Sequence, residues 1–273
     1  MILKRMAQLY SFGFRGILNE LRAPPHLELH LRTAPSIDGR FYFDVPIASC
    51  RNIIQQRYDR EENPFLLSMR ELIAANRSGA EEILHSYYNS NQPASLWDCF
   101  YHSRHLQLDF EPSSKRQLPN LIIPPWDALR RRNHERLKQK KGIHPMIGPQ
   151  REEAISRHLD RYQIVIESIQ RYGYQPNFFG HIQGHVLDRG DDAVFVVTSG
   201  KHRMAVLAAL GMERIPVSFK RNMPHLFCLG QSGYWPNVVN SMYTVIEAES
   251  IFNGFFQQSD CRGTDNASGA SAL

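Results

Sequence analysis

Three features of this sequence predict a mixed α+β fold. Short alternating or β-branched stretches recur as strands, among them His26–Arg32, Phe41–Val45, Ala193–Val197 and Ile215–Phe219. The stretch Gln150–Tyr172 repeats its apolar residues three to four apart, as a helix does. The composition is that of an ordinary globular chain, 42% hydrophobic and 22% charged over 273 residues. It excludes a wholly disordered, collagen-like or disulfide-dense class. At roughly 150 residues per domain, the length allows one or two domains with a sizeable core.

Residues 1–24 read as a basic amphipathic helix stopped by Pro24-Pro25, packed on the body or lying on a membrane surface. Lys4, Arg5 and Arg15 break its apolar stretches, and no small-residue cleavage site follows, so a secretory signal is not expected. His26–Arg32 puts three leucines on one face, Asp38-Gly39 marks a turn, and Phe41–Val45 returns; together they predict a hairpin. Asn63-Pro64 opens a helix whose apolar face is Leu66, Leu67, Met69, Leu72 and Ile73. Asn76–Gly79 interrupts it, and Ala80–Tyr88 continues as a second helix. Ser90–Pro125, rich in Pro, Ser and Asn, predicts an irregular wrap over the surface.

The basic run Arg130–Lys141 then sets seven cations against the single Glu135. It marks a linker at 130–144, between an N-terminal α/β extension (1–129) and a second unit (145–258). That unit starts with the helix Gln150–Tyr172, stopped by Gly173. Short strands are predicted around Phe178–Ile182 and Gly184–Leu187, followed by the Arg189–Asp192 turn and the strand Ala193–Val197. The helix Lys201–Leu210 ends at Gly211, Ile215–Phe219 forms a strand, and Tyr243–Phe256 makes a C-terminal helical segment. The small, polar tail 259–273 is expected to be disordered.

The step from strand to helix at Ser199-Gly200 carries the chemistry. Lys201, His202 and Arg203 fill the first helical turn. A helix N-terminus already holds about half a positive charge and favours acidic neighbours by roughly 0.3–1 kcal/mol each. Three cations there conflict with that preference unless an anion is bound. Free N–H groups, a glycine allowing close approach and nearby cations together suit a phosphate. The plain alternative has Lys201 and Arg203 pointing to water while His202 caps the turn.

An ordered set of motifs surrounds this turn. Ser168-Ile169 is followed by Tyr172-Gly173-Tyr174-Gln175-Pro176 and a strand. Gly200-Lys201-His202-Arg203, Ala205, Leu210-Gly211 and Ile215-Pro216-Val217 come next. Together they resemble the N-terminal domain of ParB-type proteins over about Gln150–Lys220, a quarter of the chain. The resemblance implies a ParB/sulfiredoxin-like α+β fold for 145–258, whose Gly-x-x-Arg box binds nucleotide phosphates. Members include CTP-dependent partition clamps, sulfiredoxin and small kinases of free amino acids. Carried over by position, Gly200, His202 and Arg203 would contact phosphate, with Ser199 and Lys201 beside them. Gln175 and Pro176 would line the nucleotide pocket. Lys201 stands where sulfiredoxin has its cysteine, which argues against sulfinate repair. After Lys220 neither the partition proteins' Glu-Asn-x-x-Arg element nor a helix-turn-helix is found.

The expectation is therefore a cytoplasmic nucleotide-binding protein using ATP, ADP or CTP with Mg²⁺ as a phosphotransferase on a small molecule or sugar. The alternative is a non-catalytic, nucleotide-gated regulator whose Arg130–Lys141 run binds DNA or an anionic membrane surface. A kinase needs a carboxylate, and Asp188, Asp191, Asp192, Glu152, Glu153 and Glu167 are candidates that sequence does not rank. His181 and His185 lie four apart in strand-like sequence without a third ligand, and His102 and His105 are no better placed, so no metal site is assigned. Tyr234-Trp235 could stack on a base but suits core packing better. Cys50, Cys99, Cys228 and Cys261 are scattered singly, as in a reducing compartment. No apolar run approaches the ~20 residues that span a bilayer.

Overall fold

The computed structural model describes residues 30–32, 42–101, 122–127, 144–219 and 224–257. Its centre is a seven-stranded mixed sheet. The strands are β1 (His30–Arg32), β2 (Tyr42–Pro46), β3 (Cys50–Arg51), β4 (Ile182–Asp188), β5 (Ala193–Ser199), β6 (Arg214–Phe219) and β7 (Leu226–Cys228). Their order is β1-β2-β6-β4-β5-β3. The two halves of β4 have different parallel neighbours: β6 runs beside Ile182–Gly184 and β7 beside Val186–Asp188. The fold is α+β, as the sequence predicts.

The two N-terminal strands pair antiparallel, with His30 opposite Asp44 and Arg32 opposite Tyr42, and the expected Asp38-Gly39 turn lies outside the described residues. Its second strand joins β6 antiparallel, while β3 runs parallel to β5. Residues before 129 and after 145 thus share one sheet and one continuous apolar core. The basic run Arg130–Lys141 lies outside the described residues, as do the segment 1–24, His102, His105 and the tail 259–273.

Helix boundaries follow local chemistry. In α1 (Pro64–Ile73) the Asn63 side chain accepts from the N–H groups of Phe65 and Leu66, and proline occupies the first helical position. In α2 (Arg77–Ser90) Asn76 accepts from the Gly79 N–H. A short α3 (Asp98–Tyr101) follows. The long α4 (Glu152–Tyr172) buries Ile155, Leu159, Tyr162 and Ile166 on one stripe, roughly 1.5–3 kcal/mol for each apolar side chain fully buried. It ends at Gly173, whose φ of 72° suits glycine and whose N–H bonds back to the Ile169 carbonyl. One turn, α5 (Pro176–Phe179), precedes β4. Then come α6 (Lys201–Ala209), α7 (Pro236–Val239) and α8 (Val245–Gly254). Thr244 and Glu247 close a reciprocal capping box at the start of α8.

Two local expectations differ from the structure. Phe178 and Phe179 belong to the α5 turn, not to a strand, because Gln175-Pro176 starts a helical turn and Gly180 stops it. The segment read as a surface wrap contributes to the core where it is described: Leu96, Trp97 and Phe100 are buried, as is Trp126 just after it. Apart from the short helix Asp98–Tyr101 the described part is irregular, yet the large rings still gain by leaving water.

Candidate functional site

The strand β5 ends at Ser199, and Gly200 turns the chain with φ 81° and ψ 23°, a left-handed conformation that suits glycine. A Cβ at Gly200 would stand 3.0 Å from Ile182 Cγ1 and 3.2 Å from Arg203 Nη2. The dihedral favours glycine, and a Cβ would crowd Ile182 as well. The first peptide N–H groups of α6 have no partner within the helix, and Gly200 has no side chain to cap them. No acidic residue lies in that first turn. The first turns of α1 and α2 likewise hold no acid, whereas α4 starts with Glu152 and Glu153 and α8 carries Glu247 in its first turn.

The three cations of the turn face different ways. Arg203 reaches across to the end of α5, where Nη1 donates to the carbonyls of Phe179 (3.1 Å) and Gly180. Its guanidinium thus satisfies two carbonyl groups at the C-terminal end of that turn and fixes α5 against the start of α6. Lys201 Nζ lies 3.5 Å from Met146 Sδ. His202 turns inward onto α4: its ring meets Tyr162 edge-on at 4.7 Å and His158 at 5.6 Å. Burial, reinforced by His158, Arg161 and Lys201, pushes the His202 imidazole down to about 4. At neutral pH it is an uncharged ring that fastens α6 to α4.

Gln175 is exposed and donates to the Tyr172 carbonyl at 2.9 Å, while Pro176 opens α5. Ser199 is exposed at the last position of β5, opposite Gln183. The structure therefore joins Arg203 to the Phe179–Gly180 end of α5 and packs Gly200 against Ile182, whereas Lys201 reaches Met146 in the segment before α4 and Ser199 pairs with Gln183. It assigns the His202 side chain to the α4–α6 interface.

The carboxylates nominated from sequence are dispersed. Asp188, Asp191 and Asp192 sit at the opposite end of β5 from Ser199, about 20 Å away along a seven-residue strand. There Arg189 Nε pairs with Asp191 at 2.8 Å, and the Gly190 N–H bonds Asp188. Glu167 accepts from Gln163 Nε2 on the surface of α4. Glu152 and Glu153 occupy the exposed first turn of α4, the turn before the one that bears His158.

His181 and His185 cannot share an ion. Four residues along an extended strand separate them by about 13 Å. His181 stacks on Tyr42 with centroids 3.6 Å apart. His185 is buried, and its Nε2 accepts from Trp126 Nε1 at 2.9 Å. That acceptor role assigns the ring's proton to Nδ1 in the neutral form. Trp235 is core, packed against Trp126 and Phe252, whereas its neighbour Tyr234 is exposed.

Sequence reasoning missed the aromatic surface beside the turn. Phe178 is 83% exposed and Phe179 65%, and Tyr172 carries the Arg171 guanidinium over its ring at 5.3 Å. The signal available was a Phe-Phe pair after Gln-Pro, in a stretch too short to have an apolar face of its own. A cleft of about 390 Å³ lies elsewhere, between the end of α1 and α4, lined by Leu72, Arg77, Gln163 and Ile166 among others. Among the described residues, no helix is long and apolar enough to cross a membrane. Comparison with protein-family models, with curated proteins and with solved structures found no match.

Proposed function

We propose that this chain binds a nucleotide by its phosphates at the start of α6 and acts as a phosphotransferase on a small molecule or sugar. The observation that carries the reading is the turn itself: a left-handed Gly200, an uncapped helix start and the cations Lys201 and Arg203, with no acid in that first turn. The order of motifs that resembles ParB-type proteins supports it. Hydrogen-bond donors and positive charge are what phosphoryl transfer asks of a protein, since its catalysis is mostly positioning and electrostatic stabilisation. The same donor set does not suit a resident Mg²⁺, a hard cation that takes oxygen ligands. Mg²⁺ fits this reading only as a companion of the nucleotide's own phosphates.

Calorimetric titration with ATP, ADP and CTP in the presence of Mg²⁺ tests the binding step. Affinity that falls about tenfold in Lys201→Ala is the expected result, and failure of all three nucleotides to bind sinks the proposal. Turnover is followed separately by ³¹P NMR with pooled small-molecule acceptors.

A second reading, a non-catalytic nucleotide-gated regulator, is favoured by the dispersal of the nominated carboxylates away from the turn. It predicts nucleotide binding without turnover. It also predicts salt-dependent binding to DNA or anionic liposomes that is lost when Arg130–Lys141 is neutralised.

A further inference from the structure

We infer that the solvent side of α4, with the α5 turn that follows it, forms a docking surface for an anionic lipid bilayer. The inference does not rest on the phosphate reading above. Along α4, Arg157, Arg161, Ile164, Ser168 and Arg171 recur three or four residues apart and so share one stripe, opposite the stripe that is buried. All but Ser168 are exposed. The three arginines span about 21 Å of helix. None of them makes an ion pair among the described residues: Arg157 Nε donates to the Glu153 carbonyl, and Arg171 lies over the Tyr172 ring at 5.3 Å. Two carboxylates of the same helix are engaged toward its α1–α2 side, Asp160 by Arg77 at 2.9 Å and Glu167 by Gln163.

The arginine row ends in an apolar corner. Tyr172 closes α4, and Gln175 Nε2 donates to its carbonyl at 2.9 Å, which holds the start of α5 against the end of α4. Phe178 and Phe179 of that turn are exposed, and Ile164 within the row is 65% exposed as well. Large apolar side chains kept in water beside cations without ion pairs are the two components of interfacial binding. The apolar groups enter the boundary between headgroups and acyl chains, while the guanidinium groups reach lipid phosphates. Charge complementarity selects an anionic surface, and the layout selects a bilayer over a nucleic acid. A nucleic-acid strand calls for rings interleaved with cations along the row. Here the rings gather at one end, and the aliphatic Ile164 holds the middle. Arg203, bonded to the Phe179 and Gly180 carbonyls, ties the aromatic turn to α6 and so to the body of the fold.

The test is cosedimentation of the full chain with vesicles of phosphatidylcholine alone and of phosphatidylcholine with about one-third phosphatidylserine. The wild type is expected to partition onto the anionic vesicles, to ignore the neutral ones and to be released by about 0.5 M salt. Each of Arg157→Gln, Arg161→Gln and Arg171→Gln should weaken partition about fivefold, and Phe178→Ser combined with Phe179→Ser about tenfold or more. The same losses are expected in a chain whose Arg130–Lys141 run is neutralised, which separates this surface from that run. Failure to bind anionic vesicles, equal binding to neutral ones, or wild-type partition in the arginine and phenylalanine variants overturns the inference. Loss of all vesicle binding on neutralising Arg130–Lys141 alone assigns the binding to that run and overturns it too. If the arginine variants lose binding to single-stranded DNA while vesicle binding is unaltered, the surface belongs to a nucleic acid and the inference fails. A double phenylalanine variant that changes only the oligomeric state marks a contact between copies, with the same consequence. All five side chains are exposed, so circular dichroism of the variants is expected to match the wild type, and salt release of the wild type reads the charge contribution without any substitution.

Discussion

Replacing His202 with phenylalanine should remove a specific acid sensitivity. The imidazole is half-buried between α4 and α6, with Tyr162 and His158 against it and Arg161 and Lys201 close enough to oppose a further positive charge. Its affinity for a proton is lowered in the folded chain, to about 4 from the free value of 6.5. The sign follows from linkage. Between those two values the unfolded chain holds a proton on this ring and the folded chain does not. Stability is therefore full above about pH 6.5 and is lost as pH falls toward 4. At 1.36 kcal/mol for each pH unit, the complete loss is on the order of 3 kcal/mol, and at pH 5 roughly 2 kcal/mol. Solvent access to the ring reduces that to about 1–2 kcal/mol.

Urea unfolding at pH 8 and at pH 5 measures it. The wild type should lose this much more stability between the two than His202→Phe does. His158 is also held below its ordinary value by burial and by Arg161 and Arg157, and it remains as a common background in both proteins. An NMR titration that places His202 near 6.5, or identical pH dependence in the two proteins, would refute the burial argument.

Gly200→Ala forces a left-handed φ on a residue with a Cβ and presses that carbon against Ile182 and Arg203. The expected cost is about 1–2 kcal/mol, read from the urea midpoint, together with weakened nucleotide binding. Trp126→Phe keeps most of the ring burial but leaves His185 Nε2 without its donor in a buried setting. It should cost about 1–3 kcal/mol in urea unfolding, whereas the wild-type stability would mean that the polar contact contributes nothing net.

Much of the fold was legible because its signals are local. Asn63, Asn76, Gly173 and Gly200 mark helix ends by side-chain capping or by dihedral preference, and each requires only its immediate neighbours. The buried stripe of α4 follows from its spacing alone. The Phe178–Phe179 turn was misread as a strand because two aromatics in a four-residue element carry no period, and Gln175-Pro176 outweighed their β propensity. Trp97, Phe100 and Trp126 were missed as core for the complementary reason. They are buried by partners distant in sequence, and Trp126 meets His185, Trp235, Phe252 and Phe255.

By itself the sequence determined the mixed α+β class, the strand–glycine–helix turn and the cluster of cations that makes the turn electrostatically unusual. Only the tertiary structure decided what each cation does. His202 leaves the site for the α4–α6 interface because Tyr162 lies across from it, and Arg203 spans to α5 because two carbonyls at the end of that turn need donors. The same folding leaves Phe178 and Phe179 exposed while Trp126 and Trp235 are enclosed. The physical reason is range: capping, dihedral preference and periodicity act within one or two turns of chain, while burial and hydrogen-bond partners are assigned by segments that meet only once the sheet has formed.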